Sequence, residues 1–245
     1  MPRYDFTIPR LFVDLNLAHG SKIALDRGQS NYLLNVLRRQ QGDTVLLFNG
    51  RDGEWLASVH PTGRKQAYLE PLEQTRPQPA PSTLRLLVAP LKQARMEYMV
   101  QKAVEMGVGS LQPVITEYTQ LKKINRDKMQ SHALEAAEQC GILAVPDVQH
   151  PLPMVEALAN RAPHSVLIFC DEGHDSQNPL PYLQDTHDEP IDVIVGPEGG
   201  FSEAERTFLK QQDRVTAIPL GPRILRADTA CVAALAVVQA TIGDW

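Results

Sequence analysis

From residue 84 onward, short apolar runs alternate with helix-patterned stretches, and this alternation narrows the possible folds more than any other feature. Strand-like runs at Leu84–Ala89, Ser110–Thr116, Val166–Cys170, Ile191–Val195 and Val215–Pro219 are interleaved with helical segments at Arg95–Met106, Arg126–Cys140, Pro153–Ala159, Ser202–Gln211 and Asp228–Ile242. Strands separated by helices must return by crossover connections, which predicts an α/β domain with a mainly parallel sheet covered on its faces. Ser202 followed three residues later by Glu205 is a capping-box pattern, so it fixes a helix start. Asp228 or Thr229 is positioned to cap the last helix. That helix is apolar on every side from Thr229 to Ile242, which predicts burial against the sheet and against a second subunit.

Upstream the pattern is different. Thr75-Arg-Pro-Gln-Pro-Ala-Pro-Ser82 alternates three prolines with other residues, which favours extended backbone and excludes helix. The division read from this is a first domain at 1–75, a linker at 76–82 and a second domain at 83–245. Within the first, Thr44–Asn49, Glu54–Val59 and Lys65–Glu70 read as strands parted by Asn49-Gly50, Asp52-Gly53 and Thr62-Gly63 turn signals, and Gln29–Arg39 reads as the only helix. A small β-barrel with one helix is the economical reading.

A chain of 245 residues, 43% hydrophobic and 22% charged, can build a proper core and belongs with globular proteins. It contains no apolar run of about 18 residues that would span a membrane, and Met1-Pro-Arg-Tyr-Asp-Phe lacks the apolar segment of a signal peptide. Cys140, Cys170 and Cys231 form no CxxC pair and read as thiols of a reducing compartment, so the expected location is the cytoplasm. The net charge of −5 argues against nucleic acid, because phosphate binding usually leaves a basic footprint. Its distribution softens that objection. Residues 1–75 carry nine Lys or Arg against eight Asp or Glu, and residues 76–245 carry 15 against 21. Arg38-Arg39, Arg64-Lys65, Arg3 and Arg10 lie in the less acidic part.

The motifs of several common chemistries are missing: there is no GxxxxGK[ST], no GxSxG and no HExxH, and Gly107-Val-Gly-Ser does not continue to a third fingerprint glycine. The seven histidines show no metal-ligand spacing, so no metal is expected. Asp171-Glu-Gly-His-Asp175 follows a strand and reads as a strand-end loop in which Glu172 is a candidate ligand contact. Two other loops carry more. Ile194-Val-Gly-Pro-Glu-Gly-Gly-Phe-Ser-Glu-Ala-Glu205 and Leu220-Gly-Pro-Arg-Ile-Leu-Arg-Ala-Asp-Thr-Ala230 each join the end of a strand to the start of a helix. In open α/β sheets ligands settle outside the carboxyl ends of the strands, where glycines admit backbone to the ligand and helix N-termini present free amides. Arg223 and Arg226 flank Ile224 and Leu225 in the second loop. That grouping suits a cofactor with an aromatic part and a charged part.

These two loops, together with Lys92-Gln-Ala-Arg-Met-Glu-Tyr-Met-Val-Gln-Lys-Ala-Val-Glu-Met-Gly-Val108, Ala136-Ala-Glu-Gln-Cys140 and the opening Ile8-Pro-Arg-Leu-Phe12, resemble the RsmE family of small-subunit (16S) ribosomal RNA uridine N3-methyltransferases of the SPOUT superfamily. The resemblance runs the length of the chain and is densest in the two C-terminal loops. It implies an N-terminal PUA-like barrel that recognises RNA and a C-terminal α/β domain tied in a deep trefoil knot. It also implies S-adenosylmethionine as cofactor, a homodimer, and 16S rRNA, within the small ribosomal subunit, as partner. By position it implies cofactor contacts at Gly196, Glu198, Gly199, Gly200, Leu220, Gly221, Arg223, Ile224 and Leu225, with Glu172 as a third wall. Arg226 and Arg223 are expected to stabilise charge on the uracil ring, Glu198 to face the cofactor or help remove the N3 proton, and Arg10, Arg38, Lys92 and Arg95 to contact RNA.

The chain departs from the family pattern at Tyr118 and Ile142, where relatives often carry Arg, and at Asp228, where they often carry Glu. Two other readings stay open at the level of sequence: a dinucleotide-dependent oxidoreductase, which should show a complete glycine fingerprint, and a non-catalytic RNA-binding factor, which has no need of two glycine loops beside arginines. Cofactor binding separates all three.

Overall fold

The computed structural model describes residues 7–121, 123–173, 177–183 and 190–245. Arg3, His174, Asp175 and His187, named from the sequence, lie outside them. The chain divides into two compact units, Met1–Ala80 with Ala137–Ala144, and Pro81–Ala136 with Val145–Trp245.

In the first unit, β1 (Arg10–Phe12), β2 (Ile23–Ala24), α1 (Arg27–Asn31), β3 (Thr44–Phe48), β4 (Glu54–Gly63) and β5 (Gln66–Arg76) follow one another. The sheet runs β1-β3-β4-β5-β2, with β1 parallel to β3 and the other neighbours antiparallel. The strands β3 to β5 stand where the alternation predicts them, and pairing carries β4 and β5 several residues past the predicted ends. Asp26 caps α1 through a capping box with Gln29, and a wider π-type turn at Tyr32–Val36 continues it. Leu33, fully buried, plugs the core against Leu11, Val45, Leu47, Val59 and Leu69. Glu54 is the other buried feature. Its carboxylate takes hydrogen bonds from Arg10 Nε at 2.8 Å, Arg76 Nε at 2.9 Å and Thr75 Oγ1 at 2.9 Å. Burial alone would raise this carboxyl, yet the hydrogen bonds from Arg76, Arg10 and Thr75 hold it below its ordinary value.

The second unit contains β6 (Leu84–Val88), α2 (Gln93–Glu105), β7 (Ser110–Ile115), α3 (Arg126–Cys140, of which residues 137–140 belong to the first unit), β8 (Asp147–Val148), β9 (Leu152–Pro153), α4 (Met154–Ala159), β10 (Val166–Cys170), β11 (Ile191–Val195), α5 (Glu203–Lys210), β12 (Val215–Ile218) and α6 (Ala227–Ile242). All strand pairs are parallel, as the helix-strand alternation requires. The order is β12-β10-β11-β6-β7-β8, with β9 beside β7. The chain lays down β6, β7 and β8 outward in one direction, then returns so that β11 seats beside β6. The carboxyl ends of β12, β10 and β11 are therefore neighbours, and the loops that follow them share one corner of the domain.

Phe169 and Phe201 meet edge to face at 5.4 Å inside a core that also takes in Leu87, Val114, Leu167, Ile194 and Leu209. Asp192, buried near the start of β11, is matched by Arg85, Arg161 and the Ser165 hydroxyl, so this charge serves the sheet. Helix α6 buries Ala227, Ala230, Cys231, Ala234, Leu235, Val238 and Ile242, one face at helical spacing. Val232, Ala233, Ala236 and Val237 on the other side stay half-buried. One expectation is corrected here. The helix begins one residue before Asp228, with Arg226 at the N-cap and no side chain capping it, so neither Asp228 nor Thr229 is the cap; both already lie in the first turn. Among the described residues, no helix is long and apolar enough to cross a membrane.

Candidate active site

Three loops wall a cavity of about 570 Å³ at that corner: Cys170–Gly173 after β10, Val195–Phe201 after β11, and Pro219–Leu225 after β12. The first turns of α5 and α6 close it through Glu203, Arg206, Ala227 and Ala230. This size suits one cofactor-sized molecule.

The β11 loop is shaped by its glycines. Gly200 donates its amide to Pro197 O at 2.9 Å and has φ +68°, and a Cβ there would stand 1.8 Å from Glu172 Oε1. Only a residue without a side chain meets both demands. The Glu172 carboxylate thus lies directly on the Gly200 backbone. A Cβ on Gly196 would strike the Phe201 ring at 2.9 Å, so this glycine lets the loop leave the strand over the core aromatic. The loop ends at the predicted cap: Ser202 Oγ accepts the Glu205 amide at 3.3 Å, and Glu205 Oε2 accepts the Ser202 amide at 3.0 Å. Glu205 Oε1 also accepts the amide of Glu117, at 2.8 Å, which ties the loop after β7 to the start of α5.

The β10 loop is held by ion pairs. Asp171, with only 1% of its side chain exposed, faces Arg206 at 3.1 Å and Lys210 at 2.9 Å, and accepts the Gly173 amide at 3.1 Å. Burial would raise its carboxyl, but the hydrogen bonds from Lys210, Arg206 and Gly173 outweigh that and keep it below its ordinary value. Arg206 is drawn upward in return, chiefly by its hydrogen bond to Asp171. At the end of β10, burial pushes the Cys170 thiol up to about 12, which makes it an apolar lining group and a poor nucleophile.

Of the residues singled out from the sequence, Glu172, Gly196, Glu198, Gly200, Leu220, Gly221, Arg223, Ile224 and Leu225 line the cavity. Gly199 turns away, packed against Tyr118. Arg226 is not among the lining residues; it stands exposed at the N-cap of α6, beside Leu225 and Ala227, which do line it. Glu198 is paired with Arg95 of α2 at 2.6 Å, a contact that joins two residues read separately from the sequence. Lys92 and Arg38 are exposed, and Arg38 has φ +55°. Arg10 is corrected: its side chain is 6% exposed and bound to Glu54, so its charge is spent inside the first unit and is not offered to RNA. Sequence reading missed Asp171 as an anchor and Arg206 as a lining residue. The one available signal was Arg206 standing one turn after the Ser202 cap. Among the described residues no group of His, Cys, Asp and Glu is placed to hold a metal ion.

The cavity offers backbone amides and carbonyls at 196–200 and 220–221, apolar cover from Val195, Leu220, Ile224 and Leu225, and an acid, Glu172, with no bonded partner among the described residues. That donor set fits a heteroaromatic molecule bearing hydroxyl and cationic groups.

Comparisons with known proteins agree with this chemistry. The profile of a family described as an RNA methyltransferase domain matches residues 78–239, and one described as an RNA methyltransferase PUA domain matches residues 25–72. The chain is 31% identical over 232 residues to Ribosomal RNA small subunit methyltransferase E of Rickettsia conorii, covering 94% of each chain. It is 29% identical, with a TM-score of 0.87, to the crystal structure of Ribosomal RNA small subunit methyltransferase E from Neisseria gonorrhoeae bound to S-adenosylmethionine, covering 97% of this chain and 99% of that one. A putative methyltransferase of Legionella pneumophila, also in complex with S-adenosylmethionine, is 29% identical with a TM-score of 0.82, covering 95% and 97%.

Proposed function

From the premise that this chain belongs to the RNA methyltransferase domain family, we propose that it is an S-adenosylmethionine-dependent methyltransferase of small-subunit ribosomal RNA that acts on N3 of a uridine. The observation that carries this reading is the one shared cavity that the loops after β10, β11 and β12 wall together. The cofactor would be held by the backbone of Gly196, Gly200, Leu220 and Gly221, covered by Ile224 and Leu225, and met by Glu172 and Arg223. When bound, it supplies an electrophilic methyl group on a sulfonium.

The residues of this chain would do the rest. Uridine N3 must lose its proton before a bond to carbon forms, and negative charge then spreads onto the two flanking carbonyl oxygens. A fixed cation in a water-poor site stabilises that charge. Arg226 is assigned this role, helped by Arg223: Arg223 lines the cavity, and Arg226 is exposed in the chain between Leu225 and Ala227, which also line it. Glu198 faces the cavity but is held by Arg95, so its service as proton acceptor requires that pair to part. Lys92, Arg95 and, on the first unit, Arg38 are assigned to RNA phosphates.

The domain division 1–75, 76–82 and 83–245 is proposed as the working one, with the first domain gripping RNA. A deep trefoil knot in the second is proposed from its membership of the RNA methyltransferase domain family; the strand order is compatible with it. A homodimer is supported by the half-buried Val232, Ala233, Ala236 and Val237 of α6. The protein is assigned to the cytoplasm, where ribosomes are assembled, with 16S rRNA as partner.

Isothermal calorimetry should show S-adenosylmethionine binding, and mass mapping of rRNA from cells lacking the protein should show one uridine short of a methyl group. Arg226→Ala should keep cofactor affinity while transfer falls about 100- to 1,000-fold. Full turnover in that variant would remove Arg226 from the role.

A further inference from the structure

We propose that Tyr118 is a nucleobase-stacking side chain that seats a base of the RNA beside the loop carrying Glu198; this rests on the RNA-methylating reading above. Tyr118 stands 47% exposed, a large aromatic in water, and its hydroxyl bonds to nothing among the described residues. Its backbone is nonetheless tightly fixed. Thr116 and Thr119, both buried, close the turn on either side of it: the Thr116 amide donates to Thr119 Oγ1 at 2.9 Å, the two hydroxyls meet at 2.8 Å, and the Thr119 amide donates to Thr116 O at 3.2 Å. Glu117 donates its amide to Glu205 at 2.8 Å, so the turn is also pinned to the start of α5.

The root of the side chain lies on Gly199. A Cβ at Gly199 would stand 3.2 Å from Tyr118 Cβ and 3.6 Å from its Cγ and Cδ2. The next residue back, Glu198, is the one paired with Arg95, and Arg95 lies in the first turn of α2, which starts after exposed Lys92. An aromatic ring and one cation, Arg95, thus stand about one short peptide stretch, with Lys92 at the N-cap of the helix that carries Arg95. This pairing of parts reads single-stranded RNA elsewhere: cations take the phosphates, and unstacked bases lie on aromatic faces. A flipped-out base loses its neighbours in the stack, and a preordered ring replaces them at little entropic cost.

A ring that merely packs on Gly199 would behave differently, and two substitutions separate the cases. Tyr118→Leu keeps an apolar side chain on Gly199 and removes the aromatic face. Tyr118→Phe keeps the face and removes the hydroxyl. Small ribosomal subunits from cells lacking this protein serve as the RNA, with equilibrium binding, methyl transfer and S-adenosylmethionine affinity measured in parallel. Tyr118→Leu should weaken RNA binding and raise KM for RNA about tenfold or more. It should leave kcat at saturating RNA within about threefold and cofactor affinity unchanged, while Tyr118→Phe matches the wild type. Wild-type RNA binding in Tyr118→Leu overturns the proposal. So does a loss of cofactor affinity in step with the RNA, which would make Tyr118 a prop for Gly199. A wild type that binds the RNA but transfers no methyl group defeats the methyltransferase reading, while weaker RNA binding by Tyr118→Leu in that same experiment would still support the stacking role.

Discussion

Around one cavity, the wall built by residues 171–173 and 195–206 is firmly tied, whereas the wall built by residues 219–226 is almost untied. The first has a buried aspartate with two cationic partners, a reciprocal helix cap and an aromatic pair beneath it. The second shows no side-chain hydrogen bond or ion pair among the described residues, and Ile224 in it is 98% exposed. Exposing an isoleucine so fully forgoes burial worth about 2 kcal/mol. The contrast teaches a division of labour: one wall fixes the shape that a ligand must match, and the other keeps its apolar and cationic groups free for what arrives.

The largest effect expected from breaking this contrast is at Gly200. Gly200→Ala must place a methyl group on the Glu172 carboxylate in a left-handed backbone conformation, so the tied wall shifts and kcat/KM should fall about a hundredfold. Cofactor titration and steady-state kinetics check this; near-normal activity would mean that Glu172 moves aside freely. At Gly221, on the untied wall, φ is +89° but nothing lies within 4 Å of a Cβ, so alanine there should cost only the backbone strain, about 1–2 kcal/mol of stability.

Next comes Asp171. Asn at this position leaves Arg206 and Lys210 without their buried counter-charge, and unfolding by denaturant should show a loss of about 3 kcal/mol. The sign with pH follows from its lowered carboxyl: the contribution is complete above the ordinary carboxylate range and is lost as pH falls through that range to the lowered folded value. Stability of the wild type and of Asp171→Asn should therefore converge in acid. Parallel curves would place the charge interaction elsewhere.

The smallest effect is at the rim. Arg95 and Glu198 are each about one-third exposed, and a surface pair is worth roughly 0–1 kcal/mol. Arg95→Ala should leave thermal stability nearly unchanged and show itself only in RNA affinity and its salt dependence. A large stability loss would make this pair part of the tied wall.

Much of this architecture was legible because helices and strands of ordinary length carry their own period. The spans of β10 and β11 and the Ser202–Glu205 cap stand where the residues alone place them, and so does α3 from Arg126 to Cys140. The two glycine loops announced a site, and nine of the residues chosen from them and from the β10 loop line one cavity. What escaped depended on distant partners. Strands of two or three residues, such as β1 and β2, are extended only because β3 and β5 pair with them, and no alternation can show in so short a run. Arg10 looked like a surface cation because nothing near it in sequence reveals Glu54, 44 positions away. Arg206 and Asp171, 35 positions apart, were hidden in the same way. Nothing in the sequence around Tyr118 reveals its contact with Gly199, which required the fold to bring the β7 and β11 loops together.

The central claim is that the backbone of the β10, β11 and β12 loops encloses S-adenosylmethionine, and a crystal structure of the protein with that cofactor tests it most directly. The account predicts the heterocycle between Leu220–Leu225 and Gly196–Gly200 with Glu172 against a hydroxyl or cationic group. Density for the cofactor at any other place on the chain, with this cavity filled only by water, would contradict it.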